Sequence, residues 1–349
     1  MNSTPVILDV DTGIDDAFAI LFAARHPLIN LLGVTCVDGN TNVAQVVANT
    51  LQVLDAAGAG DIPVSRGAIR PLLGQSQYAE YVHGEDGMGD LGLPPSQRRV
   101  DSRSAIELLR DLVDQSAEPV TLVPLAPLTN IALFLRAFPE SAKKLKRIVL
   151  MGGSASAGNA TPAAEFNVWH DPEAAAIVFQ SGIPITMYGL DVFMRPCVSA
   201  EEADKLSKSA DPCAQFAGRL INAFVERIGS PVTLGDYGAV ASVIAPELVT
   251  TERFDVIVDT SAGPARGQTI VDRRPALELE IEPLRLENAA KVDVTLDLDI
   301  SGLEAKLVAE IKKAGAQNLK RIHSFKEISS PGRILAFMES KTVWHPIGV

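Results

Sequence analysis

The chain has 349 residues and a hydrophobic content of 47%, so it can bury a sizeable core. Its 43 acidic and 31 basic residues give a net charge of −12, which excludes the basic footprint of a nucleic-acid or anionic-membrane binder and favours a small-molecule partner. Three scattered cysteines exclude a disulfide framework. Because the N-terminus lacks signal-peptide features and no apolar run reaches membrane length, we predict a cytoplasmic protein.

Short apolar runs alternate with segments of helical periodicity along most of the chain. Strands are predicted at residues 6–10, 31–37, 120–123, 147–151 and 183–189. Helices are predicted from Asp15 or Asp16 to Arg25, over 41–57 and after Leu128, and the segment 201–229 is predicted to be helical and peripheral. This alternation indicates an α/β fold with an open, mostly parallel central sheet flanked by helices.

Polar loops follow the predicted strands, at Asp11, Asn40, Leu125, Met151 and Asp191. Carboxyl ends of parallel strands share one edge of a sheet, so we expect these positions to border one ligand crevice. A further strand and helix are predicted from about residue 291. We therefore predict one domain over residues 1–314, followed at 315–349 by a tail of uncertain order, since that stretch has no clear periodicity.

The stretch DVDTGIDD places the carboxylates of Asp9, Asp11, Asp15 and Asp16 directly after the first strand. Grouped carboxylates repel one another and resist burial unless protonation or a cation relieves the charge. Oxygen donors without nearby histidine or cysteine suit Ca²⁺ or Mg²⁺ rather than zinc. The alternative is purely structural, with two aspartates in a turn and two at a helix N-terminus.

Two enzyme families place carboxylates at such a position. The haloacid-dehalogenase phosphatases use DxDxT, but Thr12 falls one position early for that motif. The run DVDTGIDDAFAI instead resembles the DxDxxxDD signature of the inosine-uridine nucleoside hydrolases. Further matching segments follow in order over roughly residues 5–310: VDGN ending at Asn40, VHGEDGMGD around His83, VPLAPLTNIA around Leu125, VLMGG at Met151 and GNATPAAEFNVWHDPEAA at 158–175.

This resemblance implies a nucleoside hydrolase fold with a Rossmann-like core and a Ca²⁺ enzyme that cleaves the N-glycosidic bond of ribonucleosides. By matched position, Asp11, Asp16, Asp236 and the Leu125 carbonyl are the implied Ca²⁺ ligands, although many members have threonine at the Leu125 position. Asp11 is also the implied general base. The implied ribose-binding residues are Asp15, Asn40, Met151, Asn159, Glu165 and Asn167. Considered alone, Asn159 and Asn167 also fit turn or cap residues, Glu165 a helix-surface charge and Met151 a core residue.

The sequence departs from the family where the leaving base is protonated. Many members have a histidine directly before the late metal-binding aspartate, and this chain has Gly235 there. His83, as a residue that contacts the nucleobase, and Tyr237 are the candidate replacements. His170 is expected to act only indirectly, next to a helix cap formed by Asp171 and Pro172.

The resulting hypothesis is a Ca²⁺-dependent ribonucleoside hydrolase that releases base and ribose for purine or pyrimidine salvage, by a single displacement with inversion. A nucleoside or ribose binder with weak catalysis is the first alternative, and a hydrolase of another N-riboside is the second. Purine or pyrimidine preference stays open at this point. The resemblance implies a homodimer or homotetramer, and no feature of the chain decides between them.

Overall fold

The computed structural model describes residues 3–274 and 287–312. The strands are β1 (Thr4–Val10), β2 (Ile29–Cys36), β3 (Val64–Arg66), β4 (Thr121–Pro124), β5 (Arg147–Met151), β6 (Ile185–Tyr188), β7 (Val249–Val258), β8 (Thr269–Val271) and β9 (Ala290–Leu298). The helices are α1 (Ile14–Arg25), α2 (Val43–Ala56), α3 (Glu80–His83), α4 (Ala105–Gln115), α5 (Thr129–Ala137), α6 (Pro139–Ala142), α7 (Phe166–His170), α8 (Pro172–Phe179), α9 (Leu190–Phe193), α10 (Ala200–Ser207), α11 (Pro212–Ile228), α12 (Gly235–Ile244) and α13 (residues 300–312). Within these ranges, no helix is both long and apolar enough to cross a membrane.

The strands form one mixed sheet of nine strands in the order β3-β2-β1-β4-β5-β6-β9-β7-β8. The seven strands from β3 to β9 in this order are parallel, and β7 runs antiparallel to both of its neighbours. The prediction of a mostly parallel α/β sheet is confirmed. The chain leaves β1 in one direction to β2 and returns on the other side as β4, so the topological switch point, where such sheets bind ligands, lies between β1 and β4.

Two apolar cores cover the two faces of the sheet. Val6, Leu8 and Val10 of β1 contribute to the core that contains α1, α2, α11 and α12, whereas Ile7 contributes to the core that contains α4, α5 and α8. The alternation follows from the period of two in a strand. Asp9 lies on the same face as Ile7, where the α5 residue Asn130 contacts it. The buried side chain of Asp9 thus lies on the α5 side of the sheet and makes a structural contact there.

The predicted elements occur where the sequence placed them, with small shifts of their ends. One local detail was wrong: Gly13 is the N-cap of α1, so Asp15 and Asp16 lie in its first turn. Asp16 still serves the helix start, because its carboxylate accepts a hydrogen bond of 2.9 Å from the Gly13 amide. The sequence analysis did not find the strands β3, β7 and β8 or the helices α3, α4, α6, α7, α9 and α12. The boundary at residue 314, the tail at 315–349 and the single-domain assignment stay predictions, and the tail lies outside the described residues.

Asn130 connects three buried segments beneath the switch point. Its Nδ2 donates to Asp9 Oδ1 (2.8 Å) and to the Cys36 carbonyl (3.0 Å), and its Oδ1 accepts from the Ala68 amide (2.8 Å). Thr35 donates a second hydrogen bond of 2.5 Å to Asp9 Oδ1. Burial nevertheless raises the pKa of Asp9 to about 7, so this carboxyl depends on its donors.

We expect Asn130→Ala to lower the free energy of unfolding by about 2–4 kcal/mol, because it leaves Asp9 and two backbone groups buried with fewer partners. Urea unfolding measures the loss. The matched control is Asn42→Ala, which removes an exposed N-cap of α2 and is expected to cost about 1 kcal/mol. A loss for Asn130→Ala no greater than that of the control would contradict this account.

Candidate active site

The predicted site residues lie at the carboxyl edge of the sheet, around the switch point. Asp11 follows β1, Asn40 follows β2, Leu125 follows β4 and Met151 ends β5, while Asp236 lies in the first turn of α12. Hydrogen bonds hold this edge together, since the Leu125 amide donates to the Asp9 carbonyl at 2.8 Å and the Val37 amide donates to the Val10 carbonyl at 2.9 Å. The strand ends therefore bring these residues to one edge of the sheet, and we refer to the space above this edge as the crevice.

Three carboxylates meet in this crevice. Oxygens of Asp15, Asp16 and Asp236 lie within 4.8 Å of one another, and Asp16 and Asp236 are buried. Oδ1 of Asp16 and Oδ1 of Asp236 have no hydrogen-bond partner among the described residues. Buried carboxylate oxygens without donors are costly unless a cation or a proton satisfies them. The donor set consists of oxygens alone, which fits a hard divalent cation.

Asp11 adjoins this group without being one of its three members. Its Oδ2 accepts a hydrogen bond of 2.8 Å from the Asn40 amide, and the Asn40 side chain reaches Asp16 Oδ2 at 3.4 Å. Gly39 permits this approach, because a Cβ atom there would lie 2.8 Å from Asp11 Cβ and overlap its carboxylate. The backbone after β2 therefore packs directly on the carboxylate of Asp11.

The carboxylates of these aspartates repel one another. Burial, followed by the neighbouring carboxylates, raises the pKa of Asp11, Asp16 and Asp236 well above the usual range of a carboxyl. The same two causes make the group favour any bound positive charge, either protons or a metal ion. The arrangement thus has the charge, burial and donor chemistry that a divalent cation site requires.

Asn167 joins two of the predicted strand ends. Its Nδ2 donates to the Leu125 carbonyl at 2.9 Å and to the Met151 carbonyl at 3.2 Å, and it contacts Met151 Sδ at 3.3 Å. The three residues are buried. The sequence placed them in the same crevice, and the structure brings them into direct contact.

Glu165 is the N-cap of α7 and not a helix-surface charge. Its carboxylate accepts hydrogen bonds from the amides of Gly153 (2.8 Å), Asn167 (2.9 Å) and Val168 (3.2 Å). Burial still raises the pKa of Glu165 to about 7, and its charge contributes to the raised pKa of Asp236. Glu165 therefore lies within electrostatic range of the acidic group. Asn159 is an exposed loop residue, and its Oδ1 accepts a hydrogen bond of 2.9 Å from the Phe166 amide, next to Glu165.

His83 lies beside the start of α1. Its Nδ1 accepts a hydrogen bond of 3.2 Å from the Ile14 amide, so the neutral ring carries its hydrogen on Nε2. Burial lowers the pKa of His83, and Asp15 Oδ1, at 3.9 Å from Nδ1, opposes that effect. Asn49 fixes the loop that follows His83, because its Nδ2 donates to the carbonyls of Thr12 and Asp86.

Tyr237 does not reach the site. The ring is fully buried against Phe22, and its hydroxyl donates to the Leu303 carbonyl at 2.9 Å. Burial raises the pKa of this phenol far from neutrality. The prediction that Tyr237 replaces the missing histidine is therefore wrong. Successive residues of a helix point about 100° apart, so the residue next to Asp236 faces the core.

Three further aspartates, Asp38, Asp171 and Asp191, make contacts that hold the surrounding loops and helices. Asp38 and His170 lie side by side in the interior, with 3.4 Å between Oδ2 and Nε2 but no hydrogen bond between these atoms. Asp171 caps α8 through the Ala174 amide, as predicted. Asp191 accepts hydrogen bonds from the Ala155 amide (2.7 Å) and the Ser156 hydroxyl (2.5 Å) and so anchors the loop after β5. The only available signal for Asp38 and Asp191 was their position after a strand.

Comparisons with known proteins agree with this geometry. The family model for inosine-uridine preferring nucleoside hydrolases matches residues 6–305. The pyrimidine-specific ribonucleoside hydrolase RihA of Shewanella sp. (strain MR-7) is 41% identical over 279 residues, which cover 78% of this chain and 87% of that protein. RihA of Escherichia coli O9:H4 (strain HS) is 39% identical over 276 residues, with coverages of 77% and 88%.

Solved structures show the same architecture. A plant nucleoside hydrolase, PpNRh1, superposes with a TM-score of 0.82 at 29% identity, over 88% of this chain and 98% of that chain. The purine-preferring ribonucleoside hydrolase from Gardnerella vaginalis superposes with a TM-score of 0.79 at 32% identity, over the same shares of 88% and 98%.

We expect Ca²⁺ to raise the thermal unfolding midpoint, and to do so more at pH 7.5 than at pH 5. Without a cation, carboxyls whose pKa is raised in the folded state keep their protons at low pH, and the fold loses stability as pH rises above about 4, where the unfolded chain ionises. Bound Ca²⁺ offsets that loss and must displace fewer protons at higher pH. Differential scanning calorimetry with Ca²⁺ or EDTA measures both midpoints.

Asp236→Asn is expected to reduce the Ca²⁺-dependent shift, and Asp9→Asn to preserve it, because Asp9 lies on the other face of β1. A shift that is absent in the unmodified protein, or equal at the two pH values, would contradict the assignment of a cation to this group.

Proposed function

Because the chain belongs to the inosine-uridine preferring nucleoside hydrolase family, and so is a nucleoside hydrolase, we propose that it performs Ca²⁺-dependent hydrolysis of the N-glycosidic bond of ribonucleosides. The products are the free base and ribose. The observation that carries this proposal is the acidic group of Asp15, Asp16 and Asp236 at the switch point, in which Asp16 and Asp236 are buried and each has a carboxylate oxygen that lacks a donor. A cytoplasmic location and a homodimeric or homotetrameric state stay predictions.

The chain offers four ligands for Ca²⁺: the carboxylates of Asp11, Asp16 and Asp236 and the carbonyl of Leu125. Six to eight oxygens suit this ion, which leaves positions for the diol of a ribose and for water. The Leu125 carbonyl accepts one hydrogen bond from Asn167 and keeps a second lone pair. When bound, Ca²⁺ supplies Lewis-acid activation of water and a template for the ribose hydroxyls.

Asp11 is the proposed general base. The Asn40 amide holds one of its oxygens, and burial together with the neighbouring carboxylates raises its pKa, which makes the carboxylate a better proton acceptor. Asp11 takes a proton from the attacking water, which adds to the anomeric carbon as the bond to the base breaks. A single displacement of this kind inverts the configuration at that carbon.

The ribose is held by groups that surround the acidic group. Asp15 is the partly exposed carboxylate of the three, and Asn40, Glu165 and Asn167 are buried at the same edge. We assign these four residues to the ribose hydroxyls, with Met151 packing against the sugar and Asn159 closing from its loop. A deoxynucleoside leaves buried polar groups unpaired, so the site should discriminate strongly in favour of ribose.

His83 is the proposed contact to the nucleobase. Its Nδ1 is occupied by the Ile14 amide, so the neutral ring presents Nε2–H as a donor. A hydrogen bond from this atom stabilises the negative charge that develops on the departing base. A preference for pyrimidine bases is part of the proposal, because two relatives at about 40% identity are named pyrimidine-specific.

We expect turnover of uridine and cytidine in a reducing-sugar assay with Ca²⁺, and loss of turnover with EDTA. The panel includes inosine, adenosine, nicotinamide riboside and 2′-deoxyuridine, and uridine should exceed 2′-deoxyuridine by at least about a hundredfold in kcat/KM. Asp11→Asn should lower uridine kcat by at least about a hundredfold, because the general base is lost.

Asp9→Asn is the matched control for Asp11→Asn. It changes a buried aspartate of the same motif, preserves an acceptor for Thr35 and Asn130, and should retain kcat within about tenfold. If no nucleoside is turned over while uridine still binds, the protein is a nucleoside binder. Gly235 favours this alternative, because many family members have a histidine at that position. Exclusive turnover of nicotinamide riboside would instead identify another N-riboside as substrate.

We expect His83→Ala to lower kcat for uridine by about a hundredfold, because one donor to the developing charge on the base is removed. The p-nitrophenyl β-riboside, whose leaving group needs no such donor, should lose less than about tenfold. Steady-state kinetics on both substrates measure this contrast. Tyr81→Ala, an exposed residue on the same short helix, is the control and should change neither rate. Equal losses of kcat on the two substrates would contradict the proposed contact between His83 and the base.

A further inference from the structure

The two glycines in GDYG, Gly235 and Gly238, lie one turn apart on α12 and receive aromatic side chains from the β6–α9 segment. A Cβ atom on Gly235 would overlap Cδ2 and Cε2 of Phe193, and one on Gly238 would overlap the hydroxyl of Tyr188. Neither glycine has a positive φ, so side-chain space and not backbone conformation requires glycine at these positions. Phe193 therefore occupies the volume in which a side chain at position 235 would begin.

The helix α9 connects the loop after β5 to the start of α12. The helix leaves the carboxyl end of β6, and the Leu190 amide donates to the Gly153 carbonyl at 2.9 Å. Gly153 in turn donates to Glu165, and Asp191 binds the Ala155 amide. At its other end, α9 packs on the start of α12, directly before Asp236. The helix that carries Phe193 is thus bound at its start to the loop held by Glu165, and Phe193 itself contacts the residue directly before Asp236.

The exposure of Phe193 supports a role at the surface of the crevice. Tyr188 is fully buried, whereas Phe193 packs against the same core and is only partly buried. A partly exposed aromatic ring beside a polar, acidic crevice is a suitable surface for a planar base, because every nucleobase presents a π-face.

We propose that Phe193 is a specificity-determining residue that forms the α12 side of the nucleobase site in place of a side chain at position 235. It contacts the base through its aromatic face and provides no proton. The base therefore depends on donors elsewhere in the site, such as His83, and its affinity depends on the area of contact with the ring. This inference rests on the proposed function and specifies how that site recognises its substrate.

The experiment compares Phe193→Ala with the unmodified holoenzyme on uridine and inosine, with ribose as a competitive inhibitor. We expect KM for one or both nucleosides to rise at least about tenfold, and the ratio of the two kcat/KM values to change by a similar factor, because stacking strength depends on the base. The inhibition constant of ribose should stay within about twofold, since the sugar does not contact Phe193. Met194→Ala changes the next, largely exposed residue and should alter neither value.

Gly235→Ala tests the fit between the two residues. Alone it should lower kcat/KM for uridine more than Phe193→Ala does, because the added methyl displaces the ring. In the double variant Gly235→Ala/Phe193→Ala, activity should return to the level of Phe193→Ala, so the two effects should not multiply. If Gly235→Ala does not fold, the comparison of Phe193→Ala with Met194→Ala decides.

An unchanged base ratio and unchanged nucleoside KM in Phe193→Ala, or an equal loss of nucleoside and ribose affinity, would overturn the inference. Absence of turnover in the unmodified protein would instead reject the proposed function. In that case titration calorimetry of uridine, inosine and ribose in Ca²⁺ applies the same criterion to dissociation constants.

Discussion

The active-site end of the molecule depends on the burial of mutually repelling carboxylates. Asp16 and Asp236 are buried with oxygens that lack donors, and Asp11 and Asp15 add to the repulsion. Backbone amides relieve part of this cost: Gly13 donates to Asp16, and Asn40 donates to Asp11. The rest requires a positive charge from outside the chain. The switch point between β1 and β4 is where the sheet can accommodate that charge, because the strand ends leave a crevice there.

Much of this arrangement could be predicted from the sequence, since it follows from local rules. The alternation of apolar runs and helical periods predicted the sheet, and the carboxyl ends of its strands placed Asn40, Leu125 and Met151 beside Asp11. The different positions of Asp9 and Asp11 also follow from a local rule. Residues two apart share a face of the sheet only within a strand, and β1 ends at Val10, so Asp11 need not lie on the face of Asp9. The family resemblance then connected Asp236 and Glu165 to the same crevice.

The remaining features depend on tertiary packing that no local pattern encodes. Tyr237 follows a site residue directly, yet the helical rotation turns it into the core against Phe22. In the sequence Gly235 shows only that a histidine is missing, whereas in the fold the ring of Phe193, from the distant helix α9, occupies the space beside it. The strands β7 and β8 were missed because they join the sheet antiparallel, without the helical crossovers that made the other strands recognisable.

The long separation between Asp11 and Asp236 also has a consequence for folding. The acidic group forms only after the chain has closed loops from β1 to α12, and the entropy of that closure precedes any gain from ion binding. In the proposed enzyme, the cation is therefore expected to bind late in folding, when the sheet is nearly complete. In the proposed Ca²⁺ enzyme, binding of the ion to the folded state alone shifts the unfolding equilibrium by mass action, so free Ca²⁺ is then expected to raise the folded fraction.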